Sequence, residues 1–187
     1  MKKTTIIFIT LTILLFSCSE DDTRIPVNDS YANGQPKTTI YKTIDSANTY
    51  YEIKYDSLGR IKGITPYSNG QLNGTKVQFR NNLGVVVLLS YKDGKREGFT
   101  YEFYKGQQTG FKGESIDDKF EGKSTWYYKN GQPSETGIRN NGKKDGKWTE
   151  YFENGKIKAK GSYTDGKMNE DWVYWNSDGT IDTTKKE

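Results

Sequence analysis

The chain has 187 residues, with 28 lysines and arginines against 24 aspartates and glutamates and a formal charge of +4. That balance lacks the strongly basic footprint of a nucleic-acid partner. There is no histidine, so the commonest general base and metal ligand is missing, and the single cysteine excludes a disulfide framework within one chain.

Met1-Lys2-Lys3 precedes an apolar run from Ile6 to Phe16, followed by Ser17-Cys18 and the acidic Glu20-Asp21-Asp22. A charged start, an apolar stretch of about a dozen residues and a small residue before the cut are the three parts of a secretory signal. The stretch falls short of the roughly 20 apolar residues of a membrane helix. Leu15-Phe16-Ser17-Cys18 resembles the lipobox of bacterial lipoproteins. That resemblance implies that residues 1–17 are removed and that Cys18, lipidated, anchors the mature chain to a membrane. An ordinary signal peptide with an incidental cysteine is the plainer alternative. Removal of Lys2 and Lys3 leaves 26 basic and 24 acidic residues. The acidic residues after the cysteine resemble the surface-export signal of Bacteroidetes lipoproteins, which implies an outer-membrane location and outward display.

Residues 18–37 are polar and carry Pro26, Asn28, Asn33, Gly34 and Pro36, a composition expected of a flexible tether. In residues 38–66, Thr39 to Ile44 and Tyr50 to Tyr55 are β-prone stretches separated by Asp45 to Asn48, predicting a degenerate hairpin or cap. Tyr55-Asp56-Ser57-Leu58-Gly59-Arg60-Ile61 resembles one YD repeat of secreted toxin shells, and a turn between strands explains it equally well. Val85-Val86-Val87-Leu88-Leu89 is a continuous apolar run, expected to be buried on both faces or covered by a neighbour.

From residue 67 to 187 the chain repeats. Gly74, Gly98, Gly122 and Gly146 are spaced by 24 residues, with Glu170 next in the column, and an aromatic column keeps the same spacing at Phe79, Phe103, Tyr127, Tyr151 and Trp175. One set of turn signals is Asn69-Gly70, Asp93-Gly94, Asn141-Gly142 and Asp165-Gly166, with Asp117-Asp118 as the departure. The other is Asn130-Gly131, Asn154-Gly155 and Asp178-Gly179, with Lys105-Gly106 displaced by one residue. Both sets favour the positive φ angles of tight primed turns, and the intervening Tyr, Trp, Phe, Thr and Val favour strands. The two departures are expected to be local bulges or loop changes. Two strands of about ten residues plus two turns fill a unit, which predicts an all-β fold of tandem hairpins in one extended, twisted meander.

If Asn141-Gly142 is a two-residue loop, symmetric counting sets Gly137 opposite Gly146, Gly113 opposite Gly122 and Gly161 opposite Glu170. Trp148 and Trp172 are then placed to lie across those gaps, as aromatic residues do over strand glycines. Both are also candidate contact residues for a ligand, since exposed indoles anchor proteins and sugar rings. Glu170 in the glycine column suits an atypical terminal unit that caps the array.

The stretch from Glu135 to Lys156, with Asn141-Gly142-Lys143, Gly146, Trp148, Tyr151 and Asn154-Gly155 in order, resembles the MORN repeat variant. Chains with this repeat are often grouped as YwqK-family antitoxins, and the resemblance implies a membrane-associated or protein-binding scaffold. No cofactor and no metal are expected, and an enzyme is not. Asp117, Asp118, Asp165 and Asp178 sit at predicted turns, where aspartate favours the backbone geometry; weak calcium binding is the alternative. Lys95, Lys119, Lys143 and Lys167 form a column beside the first set of turns, expected to be a solvated, edge-protecting row in preference to an anion site. The expected function is an exported, membrane-anchored, non-catalytic scaffold for a protein or a glycan. The alternative is an immunity protein or antitoxin.

Overall fold

The computed structural model describes residues 24–26, 29–43, 46–80 and 84–184. The expected signal peptide at 1–17 and the expected lipidation site Cys18 lie outside them. The described residues form strands, turns and loops without a helix. Short strand β1 (Arg24–Pro26) is followed by β2 (Thr38–Thr43), β3 (Ser46–Tyr55) and β4 (Ile61–Ser68). The next hairpins comprise β5 (Gln71–Leu72) with β6 (Gly74–Phe79), then β7 (Val85–Lys92), β8 (Lys95–Phe103), β9 (Thr109–Ile116) and β10 (Lys119–Tyr127). The last are β11 (Pro133–Asn140), β12 (Lys143–Tyr151), β13 (Ile157–Thr164), β14 (Lys167–Met168) and β15 (Val173–Tyr174). All fifteen belong to one open sheet whose neighbours follow chain order, so the predicted meander of antiparallel hairpins is the fold.

The first set of turn signals forms two-residue primed turns. At Asn141 φ is 51° and at Gly142 84°, with Asn140 opposite Lys143 across the turn. Asp117 and Asp118 hold φ of 49° and 66°, so this departure keeps the primed turn and is not a bulge. Aspartate tolerates the left-handed region better than most residues, at some cost relative to glycine. The second set differs from expectation. Tyr128 N–H bonds Gln132 O at 2.8 Å and Gly131 N–H bonds Tyr128 O at 2.9 Å, and Gly131 has positive φ while Asn130 does not. This is the three-residue loop in which a type I turn is closed by a left-handed residue. Gln107 takes that left-handed place in the displaced loop, with φ of 69°.

The glycine column has a specific cause. On the turn side Ile138 faces Asp145, but the next pair is Gly137 with Trp148, so Gly146 and Lys147 are two extra residues on β12. The same advance separates Glu114↔Glu121 from Lys112↔Thr125 and Tyr91↔Arg96 from Leu89↔Thr100. It recurs between Tyr67↔Leu72 and Ile64↔Val77, and between Tyr163↔Met168 and Lys160↔Val173. Each bulge spans or adjoins one member of the column, and φ is positive at Gly74, Gly98, Gly122 and Gly146. The expected facing pairs are therefore corrected. Gly137 faces Trp148 and not Gly146, and Gly161 lies against Trp172 and not Glu170. Gly113 lies against Phe111 and Ser124 and not Gly122. Symmetric counting across the turn omits the two extra residues.

Part of the segment expected as a tether is sheet. Arg24, Ile25 and Pro26 pair with Tyr41, Ile40 and Thr39, and Tyr31 N–H bonds Gln35 O at 2.8 Å in a loop of the second kind. β2 and β3 pair as an antiparallel hairpin, and Asp56 explains the single YD-like stretch as a turn. Its carboxylate accepts the Leu58 and Arg60 N–H groups and meets the Arg60 guanidinium at 2.7 Å. The Val85 to Leu89 run is half-buried along its length and fully buried nowhere. A single-layer sheet has no second layer to bury it. The buried apolar side chains among the described residues are Val77, Phe111, Trp148 and Ala159.

Candidate binding surface

A one-layer repeat sheet has two faces and two rims. The rim of primed turns is laced unit to unit. Gly142 N–H bonds Phe120 O at 2.8 Å and Gly166 N–H bonds Lys144 O at 2.9 Å. Glu121 accepts Asn141 N–H at 2.8 Å. The lysine column joins this lacing, with Lys95 Nζ to Asp117 and Lys143 Nζ to Asp165 both at 2.7 Å and Lys119 Nζ to Asn141 Oδ1 at 3.3 Å. The hydrogen bond and charge of Asp117 raise the Lys95 pKa above its usual value, and Lys95 in turn lowers that of Asp117. These three lysines each reach the next unit's turn, which the solvated edge row of the sequence reading did not anticipate.

The loop rim carries a second ladder. The Tyr31, Tyr104 and Tyr128 hydroxyls donate to the carbonyls of Tyr55, Tyr127 and Tyr151 at 3.0, 2.8 and 2.7 Å. Asn130 and Asn154 side chains donate to Glu153 O and Ser177 O in the following loop. The aromatic column thus ends strands at this rim. Phe79, Phe103, Tyr127 and Tyr151 close β6, β8, β10 and β12, and Trp175 pairs with Ile181 in an isolated bridge.

Residues directly opposite on neighbouring strands share a face. The face of Trp148 is filled by a chain of rings. Phe111 to Trp126 is 4.6 Å between centroids, Trp126 to Trp148 6.1 Å, Trp148 to Tyr163 5.9 Å and Tyr163 to Trp172 5.4 Å. Arg139 lies 5.2 Å from the Trp126 ring and Lys144 4.3 Å from the Trp148 ring, and Lys144 also pairs with Glu135. The indole N–H groups of Trp148 and Trp172 donate to Ile138 O and Ser162 O, both at 3.0 Å. These are equivalent carbonyls beside the bulge. Trp148 is 1% exposed, so its expected role as a contact residue is corrected: its ring is consumed by the sheet. Trp172 packs in the same way over Gly161 and stays half-buried.

The opposite face is open. Lys112 faces Thr125, Thr125 faces Thr136, Thr136 faces Thr149 and Thr149 faces Lys160, making one row across β9 to β13. Lys123, opposite Ile138, and Lys147, opposite Ser162, stand two residues along on the same face. All four lysines are exposed. Sequence reasoning missed this row because its lysines fall in two separate repeat columns, Lys123 with Lys147 and Lys112 with Lys160. The strand alternation and the bulge must both be known to bring them to one face. Two shallow depressions, one bordered by Lys42, Tyr50 and Asn69 and the other by Ile157, Trp175 and Gly179, lie elsewhere.

Residues 120–141 and 144–165 match the family model of the MORN repeat variant, so these two units are MORN-type repeats. They span nearly all of β10 to β13, and with them Trp126, Trp148 and the row of Thr125, Thr136 and Thr149. No curated protein matches the chain.

Proposed function

We propose that the chain is an exported lipoprotein, anchored in the cell envelope through Cys18, whose hairpin array is a non-catalytic scaffold for a protein or glycan partner. The observation that carries this reading is the division of labour in the sheet. Both rims and the aromatic face are engaged in joining one unit to the next, while the opposite face presents the exposed Lys112, Lys123, Lys147 and Lys160. Repeat arrays characteristically present such extended surfaces to partners. The lipobox-like Leu15 to Cys18 and the charged Lys2-Lys3 start support delivery to the envelope. A toxin-neutralising role has no dedicated feature among the described residues.

The anchor is tested by metabolic labelling with a fatty acid in cells carrying the wild-type chain or Cys18→Ala. The wild-type chain is expected to take up label and sediment with membranes, and the variant to do neither. Equal release of both from membranes would contradict the anchor. The scaffold is tested by affinity capture from native envelopes. A ligand retained at fixed stoichiometry supports it, and turnover of a substrate without stable capture would contradict it.

A further inference from the structure

Lysines on the turn rim are bonded to the next unit's turn, and Lys144 and Lys158 pair with Glu135 and Glu150. The four lysines of the open face differ. Lys112, Lys123, Lys147 and Lys160 make no ion pair among the described residues, and Lys112 has only the Tyr101 ring near it, at 5.7 Å. Apart from exposed Glu114, two residues from Lys112 on β9, the acidic groups on this side are engaged. Glu121 and Asp145 accept the N–H groups of the next turns, Asp171 accepts both donors of Ser162, and Glu114 stands beside Phe99 on β9. Neighbouring strands lie about 4.8 Å apart, which sets Lys123 and Lys147 roughly 10 Å apart and Lys112 and Lys160 roughly 19 Å apart. Between them run Thr125, Thr136 and Thr149: Thr125 is buried and bonded to Thr136 at 2.9 Å, Thr136 also donates to Ser124 O at 3.2 Å, and Thr149 is half-buried.

We infer that this face binds an acidic polysaccharide laid across the strands. The lysines meet its carboxylate or sulfate groups, half-buried Thr149 offers its hydroxyl to the sugar, and Tyr101 at the end of the row offers a ring. The inference rests on the scaffold reading and narrows its ligand. A protein partner fits less well, because the centres of protein interfaces are depleted in lysine and their hot spots are poor in threonine. The near-neutral whole chain keeps long-range attraction low, so recognition falls to the local row.

Affinity electrophoresis of the full chain in gels containing polygalacturonate, with dextran as the neutral control, tests it. The wild-type chain is expected to be retarded by polygalacturonate and not by dextran, with retardation falling as salt rises. The quadruple variant K112Q/K123Q/K147Q/K160Q is expected to bind about tenfold more weakly or worse. The double variant K105Q/K129Q, altered in exposed loops off the row, should stay within about twofold of wild type. Circular dichroism and melting of the quadruple variant should match wild type, since all four side chains are exposed. Absence of retardation, retention of binding by the quadruple variant, or tighter binding to anionic phosphatidylglycerol vesicles than to polygalacturonate would overturn the inference. If the quadruple variant still captures the same envelope ligand as wild type, the scaffold reading stands and the acidic-polysaccharide inference alone fails.

Discussion

At the scale of single residues, the sheet is held by side chains that cover missing ones. Gly137 has no Cβ, and the Trp148 indole occupies the place where one would stand; Trp172 does the same over Gly161. Where Ser124 takes the tryptophan's position in the preceding unit, Phe111 reaches over Gly113 instead. Gly137→Ala should therefore force the indole aside and destabilise the chain by about 1–3 kcal/mol, the usual cost of overpacking, read as a lower urea midpoint at unchanged slope. An unchanged midpoint would mean that the ring can shift freely. Ser124 has a buried hydroxyl with no hydrogen-bond partner among the described residues. Removing an unsatisfied buried polar group leaves less to desolvate, so Ser124→Ala is expected to be neutral or to stabilise by up to about 1 kcal/mol. A loss of stability beyond that range would show that the hydroxyl has a partner in solution.

At the scale of elements, the primed turns of the first set were legible in the sequence, while the three-residue loops of the second set and the strand register were not. Asn-Gly and Asp-Gly state the need for positive φ locally, and Asn69, Asp93, Asn141 and Asp165 adopt it at 50–51°. The two-residue bulge is not stated by any one residue. Gly146 signals that something unusual happens, but only its pairing with Tyr163 on one side and its lack of a partner toward β11 show what. The N-terminal limit of the array was misread for a different reason. Proline and glycine content suggested a tether, although Tyr31-Ala32-Asn33-Gly34 has the same form as Tyr128-Lys129-Asn130-Gly131. Comparing those two loops would have placed the earlier one in the sheet.

In the bulge between Met168 and Val173, a carboxylate bridges the two strands. Asp171 Oδ2 accepts the Ser162 hydroxyl at 2.8 Å and Oδ1 accepts the Ser162 N–H at 2.9 Å. These bonds hold the carboxyl below its ordinary value near 3.8, the side-chain bond contributing most. A depressed folded-state pKa means that the contribution to stability is present above about 3.8 and is lost as pH falls through the lower folded value. Asp171→Asn should consequently melt earlier than wild type at neutral pH, with the gap closing in strong acid. A gap that persisted unchanged in strong acid would point to lost packing and not to the carboxylate.

At the scale of the molecule, each hairpin contacts its neighbours in chain order, so stability should behave as a sum over units and their interfaces. Deleting residues 119–142 joins the Asp118 turn to Lys143 in register with the repeat, and this shorter chain is expected to fold with the same spectrum and a lower melting point. Deleting half as many residues removes one strand and reverses the direction of all that follow, so that chain should fail to fold. Similar behaviour of the two deletions would contradict a nearest-neighbour array.

The account depends most on the claim that one face joins the units while the other receives the partner. Site-specific photo-crosslinking in intact cells tests this, with benzophenone-bearing residues placed at Lys147 on the open face and at Glu102. Glu102 is also exposed but lies opposite Phe111, on the aromatic face. The account predicts a higher-mass adduct from position 147 and none from position 102. An adduct from position 102 alone would contradict the assignment of the faces.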